Sequence, residues 1–144
     1  MINKKMRHIL TFKSSYLEPP GAEHVRGYHI CKYIEKCLDD YGIIVQPSEN
    51  YRDMAWSVDC EINGRNIYFF VGYLGSKITD WQLIICSDFA FIKKLLGKSD
   101  EKERIILAKH IHSILSQDER FNQLKWFTKY TDSEKDLWFP HPIE

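Results

Sequence analysis

Residues 56–73 read WSVDCEINGRNIYFFVGY, and the way this stretch folds back on itself decides the architecture. Apolar and polar residues alternate as far as Asn63-Gly64, and a period of two marks a strand with one buried face. Asn-Gly is a strong hairpin signal, because a type I′ turn needs positive φ at both central residues. The turn makes Ile62 and Arg65 its flanking pair. Cys60 then faces Ile67, Val58 faces Phe69 and Trp56 faces Val71, which puts six apolar side chains on one side. The other side pairs Glu61 with Asn66, Asp59 with Tyr68 and Ser57 with Phe70. Turn chemistry and alternation, read separately, demand the same register, and a slip of one residue would expose every apolar side chain.

Working outward, residues 7 to 13 alternate as a first strand, broken at Pro19-Pro20-Gly21 because proline cannot donate to a ladder. A helix is expected from about 23 to 41. Its apolar stripe is Ile30, Ile34, Cys37, Leu38 and Tyr41, and Gly42 is placed to cap it in the left-handed conformation. Gly27 weakens the expectation near its start. Ile43, Ile44 and Val45 form a short strand ended by Pro47, and residues 48–53 read as a polar loop. After Gly72 and Gly75 comes a loop over 76–79, then a strand over 81–86. Asp88 is placed to cap a short helix over 89–96, stopped by Gly97. Asp100 and Glu103 resemble a capping box, and the helix that follows carries Leu107, Ala108, Ile111, Ile114 and Leu115 on one stripe. Phe121, Leu124, Trp126 and Phe127 follow without clear periodicity and are expected to pack as an irregular or short-strand element. The tail over 138–142 is neither helix nor sheet interior, since it holds two prolines.

These elements predict a single α+β domain over residues 1–144. It is a two-layer sandwich, with a mostly antiparallel sheet of four to five strands and two main helices packed on one face. The helical stripes have the Trp56-Val58-Cys60 face as their natural partner. A chain of 144 residues buries roughly 70% of the surface exposed by its unfolded form, so it needs no metal or disulfide to fold. The longest apolar runs are far shorter than a membrane span, and no apolar run follows the basic start as in a signal peptide. A soluble protein located in the cytoplasm is expected. Cys31, Cys37, Cys60 and Cys86 share no Cys-x-x-Cys spacing and fall among apolar residues. They read as reduced, buried thiols.

The chemistry-bearing residues form no familiar constellation. Asp59 and Glu61 project from one strand face about 7 Å apart at the backbone, a range at which two carboxylates can share acid and base roles. Outward positions of antiparallel strands are normally polar, however, and no third group is seen to converge on the pair. His110 and His112 are two apart on a helix and point different ways; His24 and His29 are five apart and align poorly. Zinc helices use a spacing of four. There is no Gly-x-Ser-x-Gly and no Gly-rich phosphate loop opening a helix. No cofactor and no metal is expected. Twenty basic and twenty acidic residues leave no net charge, whereas counterion release makes nucleic-acid binders basic. Tyr68 and Phe70 would suit base stacking, but Asp59 and Glu61 beside them repel phosphate.

Two readings of the outer hairpin face then compete. Ser57, Asp59, Glu61, Tyr68 and Phe70 combine ring area with negative charge, which suits a basic surface on another protein. Alternatively, Tyr68 and Phe70 are covered by the C-terminal segment, whose Trp126, Phe127, Trp138 and Phe139 need a place to bury.

The order ILTFKSS (9–15), a Pro-Pro-Gly break, a helix ending in Tyr-Gly, MAWSVDCEING (54–64), FFVGYLG (69–75), DWQLII (80–85) and QDERFNQLKWF (117–127) resembles the layout of small bacterial single-domain proteins that are similar to immunity proteins of toxin systems. The resemblance runs from about residue 7 to 127 and leaves out the Pro-rich tail. It implies a non-enzymatic protein that binds and blocks a toxin, and it implies no catalytic residues. The alternative is a small enzyme or ligand-binding domain, with a pocket lined by Asp59, Glu61, Arg52 and a histidine.

Overall fold

A computed structural model describes residues 6–14, 27–52, 54–73, 80–87, 101–129 and 135–143. They form strands β1 (Ile9–Ser14), β2 (Ile44–Val45), β3 (Glu49–Tyr51), β4 (Ala55–Ile62), β5 (Arg65–Tyr73), β6 (Asp80–Ser87) and β7 (Phe121–Phe127), with helices α1 (Tyr28–Asp40) and α2 (Glu101–Ser116). Every pairing is antiparallel. The sheet runs β2-β4-β5-β6-β1-β7, and β3 shares the β4 edge with β2. The class is α+β, as expected, but the described sheet has seven strands and not four to five.

The hairpin adopts the register read from the sequence. Trp56 pairs with Val71, Val58 with Phe69 and Cys60 with Ile67, and on the other side Ser57 pairs with Phe70, Asp59 with Tyr68 and Glu61 with Asn66. Asn63 and Gly64 have φ of 53° and 75°, the pair of positive values that the type I′ turn requires. The six apolar side chains are buried in one core with Ile30, Cys31, Ile34 and Leu38 of α1 and Leu107, Ala108, Ile111, Ile114 and Leu115 of α2. Burying one such side chain fully, Phe69 for example, contributes about 1.5–3 kcal/mol.

The ends of α1 explain its orientation. At the C-terminus Gly42 (φ 83°) donates its N–H to Asp39 O and Ile43 donates to Leu38 O. That is a Schellman motif, and its usual apolar contact partners, Leu38 and Ile43, are both buried. Tyr41, assigned from the sequence to the buried stripe, is instead exposed: it follows the last helical residue and turns its ring toward His110 of α2, 5.0 Å away. Gly27 is not interior to the helix. It is the N-cap residue, with φ 103°, and residues before it lie outside the described residues. A Cβ there would meet Trp81 Cζ3 at 3.1 Å and Trp56 Cδ1 at 3.5 Å, so glycine lets the helix start press directly on two tryptophans.

Two expectations need correction. Residues 48–53 are not all loop, because Glu49–Tyr51 pairs with β4. All three residues are exposed, and a fully exposed edge strand carries no alternation to read. Phe121–Phe127 is one continuous strand of 7 residues, longer than the short or irregular element expected, though interrupted at Gln123, whose φ is 54°; the register against β1 shifts between Thr11 and Lys13. One extra residue inverts the alternation: Phe121 and Trp126 both face the core although five positions apart. The capping box expected of Asp100 and Glu103 rests on Asp100, outside the described residues; Glu103 itself reaches the hairpin. Its side chain is buried at 6% exposure and its Oε1 lies 3.7 Å from Arg65 Nε at the hairpin end, a link between the turn and α2. Asp100, the 76–79 loop and the 89–96 helix lie outside the described residues.

The C-terminal stretch lies against the far edge. Trp126 and Phe139 exchange two backbone hydrogen bonds of 2.9 Å, and Arg7 N donates to Pro142 O at 2.8 Å. The Arg7 guanidinium sits 3.5 Å from the Phe139 ring centre. This is an edge contact, consistent with the expectation that prolines keep the tail out of the sheet interior.

Candidate functional site

The outer side of the sheet is built from rows that follow from the registers. One row is Tyr51-Ala55-Gly72-Gln82 across β3, β4, β5 and β6. Beside it runs Glu49-Ser57-Phe70-Ile84, continued by Ile9 and Phe127. The third row is Asp59-Tyr68-Cys86, and the fourth Ile44-Glu61-Asn66. The five residues singled out from the sequence, Ser57, Asp59, Glu61, Tyr68 and Phe70, therefore share one face, opposite the helices. Asp59 and Glu61 are exposed, while Ser57, Tyr68 and Phe70 are half-buried.

Among the described residues, the rings pack on one another. Tyr68 meets Phe70 edge-on at 5.4 Å between centroids, and Phe70 meets Tyr51 at 4.9 Å. The described C-terminal residues do not cover them: the tail pairs with β7, and β6 and β1 stand between β7 and β5. At the β1–β7 end of the same face Ile9 and Phe127 are 0% and 2% exposed. The open part of the face is thus the β2–β5 half.

Among the described residues, the outward strand positions of that half carry charge of one sign. Outward positions of β3, β4 and β5 carry Glu49, Asp59 and Glu61 and no lysine or arginine. Arg65, at the hairpin end, is turned inward to Glu103. Arg52, in the turn after Tyr51, lies 5.3 Å from the Tyr51 ring centre rather than between the acids. Farther along, Lys13 is 3.7 Å from Asp80.

Tyr51, Met54, Glu49 and Ile44 belong to this surface and were missed in the sequence. They sit on or beside two very short edge strands, where pairing rests on backbone hydrogen bonds and leaves no side-chain pattern. The available signal was the exposed tyrosine four residues before Ala55, at hairpin distance from the strand it joins.

Catalytic groupings are weaker. Neither Asp59 nor Glu61 lines the hollows described below, which are built from described residues alone. The hollow nearest to polar chemistry lies between the helices, about 280 Å³, with Tyr33, Cys37, Asp40 and Asp118 in its lining. There Arg120 clamps Asp118 through Nε (3.0 Å) and Nη2 (2.6 Å). The clamp holds the Asp118 carboxyl far below the usual carboxylate range. Burial, with hydrogen bonds to Asp118 and Cys37, pushes the Tyr33 phenol far up. A carboxylate already bound by a guanidinium and a phenol that keeps its proton make a structural cluster, not a base and a nucleophile.

Among the described residues no group of three or more His, Cys, Asp or Glu side chains could hold a metal ion. His110 and His112 point apart, the first to Tyr41, the second accepting a 3.0 Å hydrogen bond at Nδ1 from Trp126 Nε1. Burial and then His141 keep the His112 pKa low. The cysteines are all free thiols; Cys31 and Cys60 are buried, but Cys37 and Cys86 are only half-buried, contrary to the expectation of four buried thiols. Cys86 stands on the outer face opposite Tyr68. Burial, then the charges of Asp59 and Glu35, pushes the Cys60 thiol up to about 12.

No described helix is long and apolar enough to cross a membrane. Comparison with protein-family models, with curated proteins and with solved structures finds no match to the chain.

Proposed function

We propose that this protein is a non-enzymatic binding module whose outer hairpin face docks on a basic surface of another protein, and that its role is to bind and block a toxin, as an immunity protein does. The observation that carries the reading is the composition of one open surface: three exposed carboxylates, Glu49, Asp59 and Glu61, beside the Tyr51-Phe70-Tyr68 ring series, with no cation at the outward positions of β3–β5. Rings in such a surface supply contact area at small entropic cost. Acids around them reject like-charged partners and speed encounter with cationic ones. The enzyme alternative has less support, because Asp59 and Glu61 are exposed and neither lines the hollows built from described residues alone.

The product of the neighbouring gene is the first partner to test. Charge reversal at both acids, Asp59→Lys with Glu61→Lys, is expected to weaken the complex by tenfold or more and to reverse its sensitivity to salt. The melting temperature should stay within about 2 °C, since both side chains are exposed. Tyr68→Ala is expected to weaken binding with little loss of stability. A partner that binds wild type and both variants with equal affinity removes the hairpin face from its interface. A neighbouring toxin that remains toxic when this chain is co-produced overturns the blocking role.

A further inference from the structure

Within the open half of the outer face the rows leave a hollow. In the row Tyr51-Ala55-Gly72-Gln82 the two central residues have almost no side chain, while the row beside it carries Phe70 and Ile84. The floor is Ala55 and Gly72, the walls are Tyr51, Phe70 and Ile84, and Met54 and Gln82 stand at the rim. The volume is about 320 Å³, at the bottom of the range for small-molecule sites, roughly 300–1,000 Å³. Gly72 is required to keep the floor low: a Cβ there would lie 3.0 Å from the Met54 carbonyl oxygen and 3.2 Å from Ala55 Cβ. Met54 is 70% exposed and Tyr51 41%, a large apolar allocation to solvent at one end of the face, with Glu49 in the neighbouring row and Asp59 and Glu61 in the rows beyond it. An apolar depression flanked by polar and charged rows is the form of an interface anchor pocket.

We infer that this hollow receives one aromatic side chain with a polar edge, tryptophan or tyrosine, from the same basic partner that the acids recognise. This inference rests on the proposed binding role and adds where the affinity resides. The chemistry of the lining selects the occupant. Tyr51 and Phe70, already paired at 4.9 Å with planes tilted by 56°, offer one ring edge and one ring face to a third ring. The Met54 thioether adapts to an inserted ring and is attracted to its edge. The Gln82 amide at the rim can accept from an indole N–H or a phenol. A lysine or arginine inserted here would be desolvated with no carboxylate in the lining, so cations belong on the acidic rows to one side, at Glu49, Asp59 and Glu61, and the ring belongs in the hollow. The two regions then divide the work: the acids set the association rate and its salt dependence, and the hollow sets the dissociation rate.

The test uses three short peptides: a lysine-rich peptide with one central tryptophan, the same peptide with alanine in its place, and a serine-rich uncharged peptide with the tryptophan. Amide and methyl chemical shifts of the intact protein are followed during titration. The expected result is that the lysine-tryptophan peptide perturbs Ala55, Gly72, Gln82 and the Met54 methyl and binds at least about tenfold tighter than the alanine form. Ala55→Phe, which fills the hollow, and Met54→Ala, which removes its rim from a position where folding is insensitive, should each abolish most of that difference. Equal binding of the two lysine peptides, with shifts confined to Ser57, Asp59 and Glu61, overturns the anchor and leaves the basic-partner reading standing. Equal binding of the charged and uncharged tryptophan peptides at the hollow keeps the anchor and overturns the electrostatic reading. Absence of shifts at both sets of residues overturns both.

Discussion

The start of α1 offers the sharpest test of how this fold is held together. Gly27→Ala adds one methyl group at a backbone φ of 103°, against Trp81 Cζ3 at 3.1 Å and Trp56 Cδ1 at 3.5 Å. Two costs add. A left-handed backbone costs an L-residue about 1–2 kcal/mol, and pressing a methyl into a packed contact costs about 1–3 kcal/mol. The sum, about 2–5 kcal/mol, is a large share of the roughly 5–15 kcal/mol that stabilises a domain of this kind. Gly42→Ala is the natural control, because its φ is 83° but nothing lies within 4 Å of the added Cβ; it should lose only the conformational term. The entropic benefit of replacing glycine in the unfolded chain is common to both and cancels in the difference. Urea unfolding at 25 °C, followed by far-UV circular dichroism and by tryptophan fluorescence, measures both variants with an unchanged m-value. Gly27→Ala should be the less stable by about 1–3 kcal/mol, and the gap should close when Trp81 is replaced by Leu in both backgrounds. Equal losses for the two glycines, or a gap that survives Trp81→Leu, would refute the idea that the helix start is seated on the tryptophans.

Other consequences can be checked alongside. Iodoacetamide should label Cys37 and Cys86 in the native protein and reach Cys31 and Cys60 only on unfolding, because the latter pair is buried and the Cys60 thiol is held near 12; rapid native labelling of Cys60 would contradict the hairpin's orientation. Burial holds His112 and His8 below the ordinary value of 6.5, with His141 and Arg104 respectively adding to it. The unfolded chain therefore takes up protons first, so stability is full above about pH 6.5 and declines as the pH falls through the folded values. His112→Gln should flatten that slope in melts between about pH 7 and 5, and an unaltered slope counts against the assignment. Arg65→Met leaves the Glu103 carboxylate buried without its cation and should cost about 1–3 kcal/mol, less than for a fully enclosed pair since Arg65 is partly solvated. Glu103→Met, which removes the buried charge itself, should cost less than Arg65→Met in chemical denaturation; the opposite order would place the pair's value in Coulomb attraction.

The hairpin was legible because two local rules coincide there. Alternation from Trp56 to Ile62 and the Asn63-Gly64 turn are both properties of a few neighbouring residues, and together they settle register, buried side and acidic side with no information from elsewhere. The same holds for the Gly42 cap and for the α2 stripe. Two parts of the sheet were not legible for physical reasons that differ. Glu49–Tyr51 has no inner face of its own to bury, so its strand identity exists only as backbone bonds to β4. Phe121–Phe127 carries a bulge at Gln123, so its apolar residues obey the period only on each side of the interruption. Gly27 could not be placed either, because its role depends on Trp56 and Trp81 arriving from two different strands.

The candidate surface divides along the same line. Sequence alone placed Ser57, Asp59, Glu61, Tyr68 and Phe70 on one face, since side-chain direction in a paired strand follows from parity. The hollow beside them was invisible there: it arises because Ala55 and Gly72, unremarkable as single residues, become neighbours in one row between Tyr51 and Gln82. Local chain chemistry determines which way a side chain points, whereas a cavity is defined by what four separate strands leave empty, and only their assembly decides that.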